Sequence, residues 1–503
     1  MSFNPPKKGV TTYEGGTGFL ASLETELLLL VAGSLFSGDT FYEKDQSRKE
    51  RFHLLASEVS QKDPHFVASL AQYARQVLGL RSGPSALVAH LFWWGPKELA
   101  REAAQGVWLR GDEHLETLAY TKAQGWKITK GLKKAVASRI NSMSPVALLK
   151  YQKRGRSFSQ RDAVIISHPK SQDQNHALVY EWLIRGKKAL PEAQVFVSQI
   201  LEERPTWERI LSTKGSSRES WLEALPHLKG LSLVRNLSNL HSFNLLQEEE
   251  VQEVLASKLL SPEVAKWGIW PYQWLQAISI GRKEGWPEPV LRLLETALEN
   301  TLPPLHLEGE TLILVDISGS MSNLVSERSQ ATYALAAISL GALLYRRTGG
   351  QLVGFNNDIH PVHLSPEAPI ARIVEELIPK VWGGTYLGKA LEKTLPNFSG
   401  RRVVIFTDEQ VHDNAYSPLK KWIREGPDRI AHVVNVAGYP FLAFPENGIV
   451  RVGGWSERLL EILTLMEARN PAAWIRNGGW KTRAPLSSPS ENEGALEEAQ
   501  GTT

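Results

Sequence analysis

"TLILVDISGSMS", residues 311–322, decides how the second half of the chain folds. Its apolar residues follow one another without alternation, the pattern of a strand buried on both faces of a parallel sheet. The same texture recurs in "QLVGF" (351–355), "RVVIF" (402–406) and "HVVNV" (432–436), with helical segments between them. Strand–helix alternation of this kind predicts an α/β domain with a doubly wound parallel sheet. It spans residues 304–480, and "SERLLEILTLMEARN" (456–470) supplies its closing helix.

Upstream, residues 1–303 read as helical throughout. In "DPHFVASLAQYARQVLGL" (63–80), Asp63 caps and Pro64 takes the first helical position. Phe66, Leu70, Tyr73 and Val77 then recur every three to four residues, one face of a helix. Similar segments follow, broken by "RSGPS", "NSMSP", "SHPKS" and "RPTW", and together they predict a solenoid of helix pairs. "LLLLVAG" (27–33), preceded by Glu24 and Glu26, reads as a buried helix. Residues 481–503 are polar, lack a core pattern and are expected to form a disordered tail.

Bulk properties narrow the function. The 503 residues call for two or three domains, and the net charge of +3 restricts any nucleic-acid surface to a local patch. No apolar run reaches the roughly 18 residues of a membrane span. The N-terminal stretch has no apolar signal core, and there is no cysteine, so disulfides, thiolate metal sites and cysteine nucleophiles are excluded. A cytoplasmic monomer is the expectation.

Asp316, Ser318 and Ser320 follow the first strand at its carboxyl end, where open α/β sheets gather ligands. Thr385 stands in the loop "GGTYLG", and Asp408 follows the strand "RVVIF". Carboxylates and hydroxyls are hard oxygen donors suited to Mg2+ or Mn2+. The order D-x-S-x-S, then Thr, then Asp resembles the metal-ion-dependent adhesion site of von Willebrand factor A-type domains. In that family the open coordination position commonly takes a partner's carboxylate. Glu409 stands where the family pattern often has Gly, and a carboxylate there would bind water at the site or repel an acidic ligand. The same region offers a competing motif. Gly383, Gly388 and Lys389 fit the frame of a phosphate-binding loop, but Ala390 lacks the hydroxyl that would hold magnesium, and no strand precedes the glycines.

Residues 121–170 hold twelve Lys or Arg and one acid, Asp162, for a local charge of +11 that leaves −8 for the rest. Such clustering is an electrostatic footprint for nucleic acid. Lys150, Lys153 and Arg154, like Lys130, Lys133 and Lys134, are spaced i, i+3, i+4 for one helix face. Ser159 and Asp162 predict a capped helix that Pro169 ends just after His168, where an imidazolium is favoured and can meet phosphate. Lys170 follows.

Seven stretches in order, "EGGTGF" (14–19), "GLKKAVA" (131–137), "LLKYQKR" (148–154), "RDAVIISHPK" (161–170), "PTWE" (205–208), "LSLVRNLSN" (231–239) and "PYQWLQAI" (271–278), resemble the TROVE domain of the Ro autoantigen and its bacterial relatives. The resemblance implies a ring of HEAT-like helical repeats closed by the A-type domain. It implies small noncoding Y RNAs on the outer basic surface and single-stranded ends of misfolded RNA in the central hole. RNA quality control or processing follows as the role, with an exoribonuclease such as polynucleotide phosphorylase as a partner. Lys150, Arg154 and His168 match family positions for RNA contact, and charge and spacing add Lys133, Lys134, Lys153 and Lys170. The alternative is a magnesium-dependent protein-binding module with an incidental basic face. An enzyme is not expected, because His360, His363 and His412 form no recognised catalytic spacing and a two-metal hydrolase needs bridging carboxylates.

Overall fold

Six strands form one sheet in the order β4-β3-β2-β5-β6-β8. They are β2 (Thr311–Asp316), β3 (Gln351–Phe355), β4 (Ile359–Pro361), β5 (Arg402–Thr407), β6 (Ile430–Asn435) and β8 (Val450–Gly453). All neighbours run parallel except β3 and β4, so the expected doubly wound sheet is present with one antiparallel edge. Every residue of β2 and β5 is buried, which is why both read as unbroken apolar runs. Helix Leu387–Thr394 and helix Tyr416–Arg424 pack Leu387, Leu391, Leu419 and Trp422 into the sheet's core with Leu312, Leu314, Val403 and Ile405.

The computed structural model describes residues 10–33, 38–152, 157–203, 206–301, 307, 309–325, 331–456, 458–465 and 471–482. From Arg483 onward the expected tail lies outside the described residues. The strands begin at Thr311, close to the boundary at 304, but the compact units divide elsewhere. One joins residues 1–59 to 269–482, and the other contains residues 60–268.

The reason lies in residues 10–33. A short ribbon pairs β1 (Phe19–Leu20) antiparallel with β7 (Phe441–Leu442). Gly16 N–H donates to Val411 O (3.0 Å) and Thr17 N–H to Asp413 O (3.2 Å). A Cβ on Gly16 would sit 2.3 Å from Val411 O, so only glycine permits this approach. Helix Leu23–Ala32, capped by Ser22, buries Leu27, Leu28, Leu29, Leu30 and Val31. At about 1.5–3 kcal/mol per aliphatic side chain, that burial contributes on the order of 10 kcal/mol. The stretch is the buried helix its composition indicates.

The second unit is a series of helices, each packed on the next one or two. Helix Pro64–Gln76 packs on Ser82–Trp94 and Lys97–Val107, and Lys97–Val107 on Lys130–Ser142. Lys130–Ser142 packs on Gln160–Ser167, which packs on Gln174–Arg185, which packs on Pro191–Glu203. This is the repeat logic of a solenoid. Asp63 caps its helix through Phe66 N–H (3.0 Å).

Candidate metal centre and basic face

Asp316 ends β2 and Asp408 directly follows β5. These two strands are adjacent, and from them the chain winds to β3 on one side and to β6 on the other. Their carboxyl ends therefore flank the topological switch point, where ligands bind in open α/β sheets. Ser318 and Ser320 sit in the tight turn after β2, with hydroxyls 3.2 Å apart. The Thr385 loop is fastened to that turn: Gly319 N–H donates to Gly383 O (2.8 Å) and Trp382 N–H to Ile317 O (3.0 Å). Gly383 has φ +81°, a conformation that glycine adopts without strain.

All five side chains are buried, Asp316 and Asp408 completely. Asp316 Oδ1 accepts from Ser318 N–H (3.0 Å) and Oδ2 from the Thr407 hydroxyl (2.7 Å). Asp408 Oδ1 accepts from Gln410 N–H (2.9 Å), whereas Asp408 Oδ2 has no partner. Among the described residues no Lys or Arg pairs with either carboxylate. Burial raises the Asp316 carboxyl to about 6. Burial, then repulsion from Asp316, holds Asp408 well above the usual carboxylate range. Two buried anions with an orphan oxygen and three hydroxyls beside them suit one hard divalent cation. Among the described residues no group of three or more His, Cys, Asp or Glu is arranged to hold a metal, so a site here relies on its hydroxyls.

Glu409 serves neither role expected of a carboxylate at the site. Its side chain turns away into the core, where Arg451 Nε and a terminal guanidinium nitrogen donate to its two oxygens (2.8 and 2.9 Å). Asn435 Nδ2 and Ala443 N–H complete the set, both at 3.0 Å. Its φ of +63° explains why glycine suits this position elsewhere. The phosphate-loop frame also resolves. Asp413 accepts from Gly388 N–H and Lys389 N–H (both 2.9 Å), and Lys389 Nζ donates to Asn357 O (2.8 Å). A carboxylate already satisfies the helix start that a phosphate would need.

The N-terminal segment brings further groups to the site. Thr385 N–H donates to His412 Nδ1 (3.0 Å), so His412 carries its proton on Nε2, 2.8 Å from Glu14 Oε2. The Tyr42 hydroxyl donates to Glu14 Oε1. Tyr42 stacks on Tyr13 (5.1 Å) and meets Tyr439 edge-on (5.2 Å).

On the helical unit, Lys130, Lys133 and Lys134 are exposed on helix Lys130–Ser142, which Thr129 caps. Lys150, His168 and Lys170 are exposed as well. Ser159 and Asp162 form the expected capping box, and His168 ends that helix at φ +48° with its N–H on Val164 O (2.9 Å). Of the face expected across Lys150, Lys153 and Arg154, Lys150 alone lies among the described residues. Ser144 and Pro145 start a helix that stops at Lys150, and Tyr151 turns the chain with ψ 8°. Lys153 and Arg154 lie outside the described residues. A groove of ≈ 300 Å³ beside His168 is lined by Val164, Ile165, Pro169, Tyr180 and Ile184. Near the start of helix Lys130–Ser142, Trp93 stacks on Trp126 (5.4 Å), with Trp94 exposed next to it.

The family model of the TROVE domain matches residues 199–288. Among solved structures, the Ro (RSR) protein of Deinococcus radiodurans is similar to 91% of this chain over 100% of its own length, at 18% identity and a TM-score of 0.61. The helical unit and the sheet unit thus share the Ro fold. An aerotolerance-related membrane protein from Bacteroides fragilis matches 25% of the chain and 67% of its own length, at 22% identity and a TM-score of 0.22. Among the described residues, no helix is long and apolar enough to cross a membrane. Asp316, Ser318, Ser320, Thr385 and Asp408 are the candidate ligands expected from the sequence, and the contacts of Glu14, Tyr42 and Thr407 around them were not. "EGGTGF" carried a signal for Glu14 in its glycines, which mark close backbone approach.

Proposed function

We propose that this chain is an RNA-binding scaffold that holds small structured noncoding RNA of the Y type on its basic face. The observation that carries the reading is the +11 window, from which Lys130, Lys133, Lys134, Lys150, His168 and Lys170 are exposed on a TROVE-domain chain. Lysines on consecutive helices offer point charges to phosphates, which carry affinity and fix position without reading sequence. The face formed by Trp93, Trp94 and Trp126 offers a stacking surface for an unpaired base. Single-stranded ends of misfolded RNA are the second ligand in this reading. The role is RNA quality control or processing in the cytoplasm, by a monomer with no catalytic step of its own. An exoribonuclease such as polynucleotide phosphorylase would then supply cleavage.

The sheet unit supports a second reading beside the first. Asp316, Ser318, Ser320, Thr385 and Asp408 would hold Mg2+ or Mn2+, whose charge neutralises the two buried carboxylates and offers an open position to an acidic ligand. The free oxygen of Asp408 favours this reading. The two readings separate in one experiment, crosslinking in cells followed by purification and sequencing of bound RNA. The expected result is enrichment of small structured RNA. Recovery of no RNA above an uncrosslinked control overturns the scaffold reading and leaves the protein-binding module.

A further inference from the structure

We propose that the groove between helices Gln160–Ser167 and Gln174–Arg185 is a pocket for one unpaired base of a bound RNA. The inference rests on the reading of this basic face as the one that holds RNA, and it adds a contact that is not electrostatic.

The groove is built by both helices. Ser159 caps the first, and Asp173 starts the second by accepting from His176 N–H (2.8 Å). Arg161 Nε on the first helix donates to Ile184 O in the last turn of the second (3.0 Å), which ties the two walls together. Val164, Ile165, His168, Pro169, Tyr180 and Ile184 line the ≈ 300 Å³ between them. That volume lies at the small end of ligand clefts. Val164 and Tyr180 are buried, whereas Ile165 and Ile184 are 39% and 37% exposed. A single exposed aliphatic side chain is ordinary, but two bordering one groove leave an apolar patch open to solvent.

Cations adjoin that patch. Lys170 follows Pro169, Arg185 follows Ile184, and both are exposed, as are Arg161 and His168. The nearby acids are occupied: Asp162 closes the capping box with Ser159, and Glu181 pairs with Arg185 (3.1 Å). Apolar walls with cations at their edges suit a ligand with an apolar body on an anionic tether. An unpaired nucleotide has that form, whereas a paired base is hidden inside its duplex. The Tyr180 hydroxyl is committed to Asn141 Oδ1 (2.8 Å), so the walls offer hydrocarbon to the face of a base rather than donors to its edge. The pocket therefore accepts bases with little regard to sequence. His168 stands in a left-handed backbone, φ +48° and ψ 59°, which a residue with a Cβ adopts at a cost, and such costs collect at ligand clamps. Its exposed imidazole is able to stack on the entering base.

The test is filter binding by the full chain, across a salt series, of a hairpin RNA with a single-stranded tail. The same hairpin with a wholly abasic tail is the control. Wild type is compared with Ile165→Ser and Ile184→Ser, two partly exposed positions, each variant checked for wild-type thermal unfolding. Wild type should prefer the base-bearing tail by at least about fivefold. Each variant should lose most of that preference while keeping the wild-type salt slope, because an apolar contact releases no counterions. Equal affinity for both tails in wild type, or a preference that both variants retain, overturns the pocket and leaves the phosphate-binding face intact. Absence of salt-dependent RNA binding by the wild type overturns the RNA reading and the pocket with it.

Discussion

Removing the Glu409 carboxylate isolates one buried charge and shows what holds the loop after β5. Glu409 is fully buried and Arg451 is 3% exposed, so neither ion has water to fall back on. Glu409→Ala leaves the Arg451 guanidinium with only Phe444 O, which accepts from it at 2.9 Å. Breaking one side of a buried pair costs about 3–5 kcal/mol, because the surviving charge stays desolvated. Asn435 Nδ2 and Ala443 N–H also lose their acceptor, which keeps the loss toward the upper end of that range. The backbone at φ +63° strains alanine as it strains glutamate, so Glu409→Gly should be about 1 kcal/mol less destabilised than Glu409→Ala. The double variant Glu409→Ala/Arg451→Met should recover most of the loss, since it removes both charges. Two units make a single global transition unsafe, so the assay is amide hydrogen exchange at β6 and β8 through a urea series. A loss below about 1 kcal/mol in Glu409→Ala, against the range expected for a broken buried pair, would refute the reasoning.

Asp408→Asn keeps the shape of the metal site but removes one anion, so Mg2+ affinity measured by calorimetry should fall at least tenfold while the ion-free protein gains stability. Lys389→Ala should change no ATP binding, because Asp413 already fills the helix start; equilibrium dialysis showing specific ATP binding lost in this variant would restore the phosphate loop. His114 is buried, and burial, helped by the Arg139 charge, lowers its pKa to about 4. The unfolded chain therefore takes up that proton first as pH falls. The contribution is complete above about pH 6.5 and is lost between about 6.5 and 4, a change of about 3 kcal/mol. His114→Gln should flatten unfolding against pH over that window, and an unchanged profile would show that another group governs it.

The sheet was legible because β2 and β5 are buried on both faces and so carry no alternation. The metal candidates were legible because strand carboxyl ends fix where Asp316 and Asp408 must lie. Helix Gln160–Ser167 announced itself through Ser159, Asp162 and Pro169. Other features depended on distant chain. The glycines of "EGGTGF" mark a close backbone approach, but nothing in residues 10–33 names residues 410–413 as the partner. Glu409 looked like a site residue because its neighbour is a candidate ligand; only the position of Arg451, 42 residues away, turns it inward. The i, i+3, i+4 spacing after Lys150 suggested a helix face, yet spacing cannot reveal that the helix ends at Lys150 itself.

The central claim is that exposed lysines of the helical unit bind RNA through phosphate. The measurement is filter binding of a small structured RNA with a single-stranded end, across a salt series. Wild type is compared with the variant Lys133→Ala/Lys134→Ala/Lys150→Ala/Lys170→Ala. Each phosphate contact contributes about 0.7 to 0.9 to the log–log salt slope. The account predicts weaker binding and a slope flatter by about three if all four lysines reach phosphate. A folded variant with wild-type affinity and slope at every salt concentration would contradict it.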